Sequence, residues 1–162
     1  MRLVIRPLRP SDRRFVAATW AQAWRRPVEA GLISVAAWRQ AAFRTVEELL
    51  GVAGVAVTVV VDRDSASGDA DLFGYLALQH VAGEPMPLIL FCYVKRDYRR
   101  NGLARALLRE AGLDLAMPLP CVCWTRDATE LREAGKLPNA QWRPDLGRRI
   151  NPDRSDPHDD RE

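Results

Sequence analysis

The sequence predicts an α/β fold built around one mixed, mostly antiparallel β-sheet. Two observations carry this prediction. Three apolar segments, at 55–61, 72–79 and 88–94, are separated by polar or glycine-containing stretches, which is typical of antiparallel strands joined by hairpin loops. The third segment is followed by a helical pattern at 103–112 and by another apolar segment at 121–125, and such a crossover joins two parallel strands.

The N-terminal part of the chain predicts one short strand at 3–6 and a helix that runs to about Trp24. Ser11 or Asp12 is expected to cap this helix by accepting hydrogen bonds from its first free amides. Its buried face is predicted to carry the apolar residues at four-residue spacing, namely Val16, Trp20 and Trp24.

A second helix is predicted over 34–50, ended by Gly51 or Gly54. After the 121–125 strand, a short helix is expected at 127–135 and a final or irregular strand near Trp142. The predicted order is therefore β-α-α-β-β-β-α-β-α-(β).

Length and composition indicate a single domain over 1–150, followed by a charged segment, 151–162, that we expect to be disordered. No apolar run approaches the roughly 20 residues needed to span a bilayer, and the N-terminus lacks a signal-peptide core, so the expected location is cytoplasmic. The net charge is +3, and 22 of the 24 basic residues are arginine. Because these arginines are scattered among acidic residues, a nucleic-acid partner is considered but not favoured.

The three cysteines, Cys92, Cys121 and Cys123, predict neither a disulfide framework nor a metal site. Their number is odd, and no histidine accompanies them in sequence. We expect all three to be small buried apolar residues.

The segment 94–104 is the most informative for function. It links the apolar 88–94 segment to the start of a helix, and it combines arginines with Gly102. The first amides of a helix have no intrahelical partner and carry the positive end of the helix dipole, while glycine allows an anion to approach the backbone. The segment therefore predicts a phosphate-binding loop.

The pattern Arg99-x-x-Gly102-x-Ala104 resembles the pyrophosphate loop of the GCN5-related N-acetyltransferase (GNAT) superfamily, usually Gln/Arg-x-x-Gly-x-Gly/Ala. The strong resemblance covers roughly residues 88–112. It implies the acyl-CoA N-acyltransferase fold, with helices on both faces of the sheet, and acetyl-CoA as co-substrate. The expected cofactor contacts are on the strand and the loop after it: Cys92, Tyr93, Val94, Arg99, Arg100, Asn101, Gly102, Leu103 and Ala104.

The resemblance implies acetyl transfer to an amine by direct attack in a ternary complex. Many members use a tyrosine four residues before a glycine as the acid for the departing thiolate, but here Leu131 stands there. Tyr93 is the first alternative hydroxyl, and Asp127 and Glu130 are the candidate bases. Each also has an ordinary structural interpretation, as a core aromatic or a helix-end charge.

Two other functions stay open at this stage. The missing tyrosine favours a protein that keeps the fold, and the cofactor, without turnover. The excess of arginine favours an acyltransferase-like protein that acts on or binds nucleic acid. The acceptor, a small-molecule or protein amine, and the oligomeric state are not specified by any motif.

Overall fold

One six-stranded sheet organises the molecule, and its strands lie side by side in the order β1-β2-β3-β4-β5-β6. This computed structural model describes residues 2–24, 34–63, 72–122, 133, 135 and 139–143. The strands are β1 Leu3–Pro7, β2 Val55–Asp62, β3 Leu72–Gln79, β4 Leu88–Val94, β5 Leu119–Cys121 and β6 Ala140–Trp142. The pairs β1–β2, β2–β3 and β3–β4 are antiparallel, whereas the pairs β4–β5 and β5–β6 are parallel.

Helices cover both faces of this sheet. On one face, α1 (Arg13–Ala23) and α2 (Val35–Leu49) form a core with residues of β2, β3 and β4. On the other face, α3 (Leu103–Glu110) packs Leu107 and Leu108 against the remaining residues of the same strands. Because both faces are covered, every residue of the central strand β3 is buried.

The predicted mixed sheet, its strand pairing and its helices on both faces are confirmed. Some boundaries were wrong. The strand predicted from residue 121 begins two residues earlier, since β5 starts at Leu119 and includes Pro120. The second helix, Val35–Leu49, agrees with its prediction to within one residue at each end, and Gly51 directly follows its C-cap Leu50. The predicted helix at 127–135 and the segments 25–33 and 151–162 lie largely or wholly outside the described residues.

Val16 and Trp20 lie in the core as predicted, but the expected helix cap was wrong. Asp12 makes no side-chain cap to α1; its carboxylate is turned back towards β1. Arg6 donates from Nη1 and Nη2 to the two carboxylate oxygens, at 2.6 and 3.1 Å, and the backbone N–H of Arg9 donates at 2.8 Å. This ion pair connects the first strand to the start of the first helix. Asp12 is only 2% exposed, so its carboxylate is shielded from water.

None of the described helices is both long and apolar enough to cross a bilayer.

We expect Asp12→Ala to lower the free energy of unfolding by about 3 kcal/mol, since it leaves the Arg6 guanidinium without its partner. We choose the lower end of the known range because Arg6 keeps a side-chain exposure of 19%. Urea unfolding measures the change, and Ser11→Ala at the exposed neighbouring position is the control. A loss below about 0.5 kcal/mol would show that the pair does not stabilise the fold.

The same pair predicts a pH dependence. Burial alone raises the pKa of Asp12, but the hydrogen bonds from Arg6 and Arg9 and their positive charges hold it below its usual value. The contribution of the Arg6–Asp12 pair to the free energy of unfolding is therefore complete above about pH 4, and it is lost as the pH falls through the lowered pKa of Asp12. The stability difference between wild type and Asp12→Ala should shrink as the pH is lowered below about 4, and a constant difference would contradict this assignment.

Candidate functional site

Within the described residues, strands β4 and β5 pair over a short stretch only. Their pairing consists of Ile89 opposite Cys121, with the N–H of Val122 donating to the carbonyl of Ile89 at 3.1 Å. Beyond Ile89, β4 continues to Val94 while paired only with β3 among the described residues. In the part of the chain that the structure describes, the side of β4 from Phe91 to Val94 that faces away from β3 has no neighbouring strand, and we call this open side the gap.

A β-bulge at Leu90 lies where the gap begins. Phe91 stands opposite Ala77 and Ile89 opposite Leu78, so that Leu90 is the extra residue of β4. Leu90 and Phe91 both pack into the core beneath α1 and α2, although consecutive residues of a regular strand point to opposite faces. Because a bulge bends its strand, β4 changes direction at this residue.

The backbone groups of alternate residues of β4 face the gap. The N–H of Lys95 donates to the carbonyl of Phe73, at 2.8 Å. By the alternation of antiparallel pairs, the groups of Tyr93 also face β3, while those of Cys92 and Val94 face the opposite side. Arg99 Nε donates to the Val94 carbonyl at 3.1 Å. The remaining groups, both of Cys92 and the N–H of Val94, are available for pairing with an extended ligand.

Cys92 lies in the wall of this gap. Its side chain is exposed, yet the surrounding protein removes enough water from the sulfur to raise the pKa of the thiol to about 12. Accessibility combined with dense surroundings is what a residue in a narrow groove shows. The prediction that Cys92 is buried was wrong, because its side chain belongs to neither of the two hydrophobic cores, whereas Cys121 is buried as predicted. Cys123 lies outside the described residues.

The loop after β4 presents its backbone amides to solvent. A 3₁₀ turn, Arg96–Tyr98, leads to two left-handed residues, Arg100 with φ 67° and Gly102 with φ 77°. The first bond within the following helix is from the N–H of Ala106 to the carbonyl of Gly102, at 2.9 Å. The preceding amides of α3 are therefore unpaired, and successive N–H groups in such a conformation form an anion-binding concavity.

The surroundings of the loop are open and positively charged. A Cβ added to Gly102 would meet no atom within 4 Å. Asp97 is the one acidic residue of the segment 95–105. The exposed cations of this segment are four arginines, Arg96, Arg99, Arg100 and Arg105. Together with the helix N-terminus, they favour a phosphate over a neutral ligand.

Tyr93 projects to the α1 side of β4. Its ring stacks on Tyr75 at 5.4 Å between centroids and meets the edge of Phe15 at 6.0 Å. Its hydroxyl has no hydrogen-bond partner among the described residues. Tyr93 lies three residues beyond Leu90, the bulge residue, which is about 10 Å along the strand.

The structure brings together the predicted residues of β4 and its loop, as one continuous surface from Cys92 to Ala104. Asp127, Glu130 and Leu131 lie outside the described residues. The Leu90 bulge was not predicted, since all residues at 88–94 are apolar or aromatic and no polar alternation marks a change of register. Within the described ranges, no cluster of three or more metal-ligating side chains occurs.

Comparison with known families identifies the molecule. Residues 20–117, more than half of the chain, match the model of the Acetyltransferase (GNAT) family. The chain belongs to the GNAT family. The match includes α2, the strands β2 to β4, the bulge and the loop, so the surface described above lies in the part of the chain that defines the family.

Solved structures share the GNAT fold. A ribosomal-protein-alanine N-acetyltransferase from Brucella melitensis aligns with a TM-score of 0.52 and 20% identity, over 83% of this chain and 90% of that one. NAA60 from Arabidopsis thaliana, in complex with a bisubstrate analogue, aligns with a TM-score of 0.52 and 16% identity, over 82% and 83%.

A third structure, named for the GNAT family and from Desulfovibrio desulfuricans, has 21% identity and a TM-score of 0.45, over 67% of this chain. The chain spans 63% of the length of that protein. No curated protein matches this GNAT sequence.

We expect Cys92 to react slowly with iodoacetamide in spite of its exposure. With a pKa of about 12, its thiolate fraction at about pH 8 is near 10⁻⁴, against about a quarter for an ordinary cysteine. Mass spectrometry of the Cys92 peptide should show alkylation about 10³-fold slower in the native protein than in the urea-unfolded chain. Equal rates would contradict the description of Cys92 as a groove residue.

Proposed function

We propose that the protein is an N-acetyltransferase that transfers the acetyl group of acetyl-CoA to an amine. The observation that carries the proposal is the continuity of two surfaces that fit different parts of one ligand. The unpaired backbone groups of β4 fit an extended chain of amides, and the loop at Arg100–Ala104 fits a pyrophosphate. Family membership supports the same assignment.

The residues present fit CoA at both positions. Pantetheine contains two amide groups, and the groups of Cys92 and Val94 that face the gap offer both donors and an acceptor for them. The pyrophosphate would be held by the amides of Leu103 and Ala104 at the start of α3. Open space at Gly102 allows the anion to approach the backbone without displacing a side chain.

Acetyl-CoA supplies a thioester, which is already activated for attack, so that no covalent intermediate on the protein is required. The acceptor must lose its proton first, because an alkylamine has a pKa more than three units above neutral pH; this costs about 4–5 kcal/mol. Asp127 and Glu130 are the proposed bases. Tyr93 is the proposed acid for the departing thiolate, since Leu131 cannot donate a proton.

The acceptor is proposed only as an amine, of a small molecule or of a protein. The Brucella melitensis structure is named for acetyl transfer to an alanine of a ribosomal protein, which makes a protein N-terminus one acceptor to test. A cytoplasmic location is proposed with it. No observation within the described residues favours a nucleic acid.

Calorimetry with acetyl-CoA, followed by release of free CoA thiol with a panel of amines, tests the proposed function. Binding together with turnover supports it. Absence of binding at millimolar acetyl-CoA overturns it. Binding without release of CoA for any amine would favour a second candidate, a protein that keeps the fold and the ligand but does not catalyse, for which the leucine at position 131 is the motivating observation.

We expect Gly102→Glu to raise the Kd for acetyl-CoA at least about 100-fold. The new carboxylate would stand where the pyrophosphate is proposed to bind, and about 2.7 kcal/mol corresponds to the loss of one or two charge-assisted hydrogen bonds. Calorimetry measures the change.

Gly112→Glu is a closely matched control. Gly112 is also exposed, has φ 73° and would place its Cβ in open space, but it follows the other end of α3. It should share any destabilisation from the left-handed backbone and leave acetyl-CoA binding unchanged. Equal effects of the two variants would exclude a pyrophosphate site at the loop.

Tyr93→Phe should lower kcat by about 100-fold and leave the KM for acetyl-CoA unchanged, if its hydroxyl protonates the thiolate. Tyr75→Phe is the control on the neighbouring strand: its hydroxyl lies 3.2 Å from the Val16 carbonyl and 3.0 Å from the Thr19 hydroxyl, which gives it a structural role. A kcat for Tyr93→Phe within about twofold of wild type would exclude Tyr93 as the acid.

A further inference from the structure

The Leu90 bulge is held from one side by an aromatic contact with α1. The indole of Trp20 stacks on the ring of Phe91, with 5.3 Å between centroids and 10° between planes. Both side chains are almost completely buried, at 2% and 4% exposure. Phe91 immediately follows the extra residue of the bulge, so this contact lies where the open side of β4 begins.

The bulge depends on this core because regular pairing would place Leu90 and Phe91 on opposite faces. One of the two would then leave the α1 side and turn towards α3. The stack with Trp20, together with the 6.0 Å contact between Phe91 and Tyr75, favours the bulged register by keeping Phe91 in its place.

The contribution of Trp20 comes from the face of its ring. The indole N–H is buried and has no hydrogen-bond partner among the described residues, so no hydrogen bond from this group fixes the ring in place. Along α1, Phe15 contacts Tyr93 near the loop, whereas Trp20 contacts Phe91 at the bulge. Trp20 is therefore the aromatic residue of α1 that contacts the start of the gap.

We propose that Trp20 is a positioning residue: by stacking on Phe91 it fixes the Leu90 bulge, and thereby the opening of the gap in which the thioester is oriented for attack. This inference rests on the proposed function for its catalytic consequence. Its conformational part, the hold on the bulge, is independent of catalysis and is tested separately.

The catalytic test compares three variants. Trp20→Leu removes the stacked ring, Trp20→Phe keeps an aromatic ring without the N–H, and Val59→Ala makes a cavity in the same core on β2, two strands away from β4. We expect Trp20→Leu to lower kcat 10- to 100-fold with less than a threefold change in the KM for acetyl-CoA. Trp20→Phe should restore kcat to within threefold, and Val59→Ala should keep it within twofold despite its lower stability.

Hydrogen–deuterium exchange tests the hold on the bulge in protein of any activity. In Trp20→Leu, exchange in the Leu88–Val94 segment should accelerate at least 10-fold more than in the Val55–Asp62 segment, whereas Val59→Ala should not show this bias. Absence of this selective acceleration, or a kcat for Trp20→Leu equal to that of Val59→Ala, overturns the inference. If wild type proves inactive with every amine, the proposed function fails and the exchange result alone decides the role of Trp20.

Discussion

The packing of two consecutive side chains of β4 into one core is the constraint on which the site depends. Leu90 and Phe91 both contact the α1–α2 core, and a strand can satisfy this only with a bulge. The bulge bends β4, and among the described residues the backbone groups of Cys92 and Val94 that face away from β3 have no neighbouring strand. Apolar packing on one face of the sheet is thus linked to the position at which backbone N–H and C=O groups of β4 become available to a ligand.

The second half of the site follows from where β4 ends. Its last residue leads through a short turn into two left-handed residues and the first amides of α3, so the gap and the loop form one continuous surface. A strand with unpaired amides followed by an anion-binding helix N-terminus suits a ligand that has amides at one end and phosphates at the other. This complementarity, together with family membership, supports acetyl-CoA.

The phosphate-binding loop could be predicted from the sequence because it depends on features that can be recognised there: arginines, a glycine and a helical pattern after an apolar strand. The sheet followed from the lengths and order of the apolar segments. The bulge could not be predicted, because 88–94 is apolar or aromatic throughout and carries no alternation that an inserted residue would disturb. For the same reason Cys92 was expected to be buried, since nothing in the sequence distinguishes its position from those of the buried apolar residues before it.

The central claim is that the β4 gap and its loop bind a single CoA molecule. Titration of ¹⁵N-labelled protein with CoA, followed by NMR, tests it most directly because each backbone amide reports separately. The account predicts saturable shifts of the amides of Cys92, Val94, Leu103 and Ala104 with one common Kd. Shifts confined to other parts of the chain, or different affinities for the strand and the loop, would contradict it.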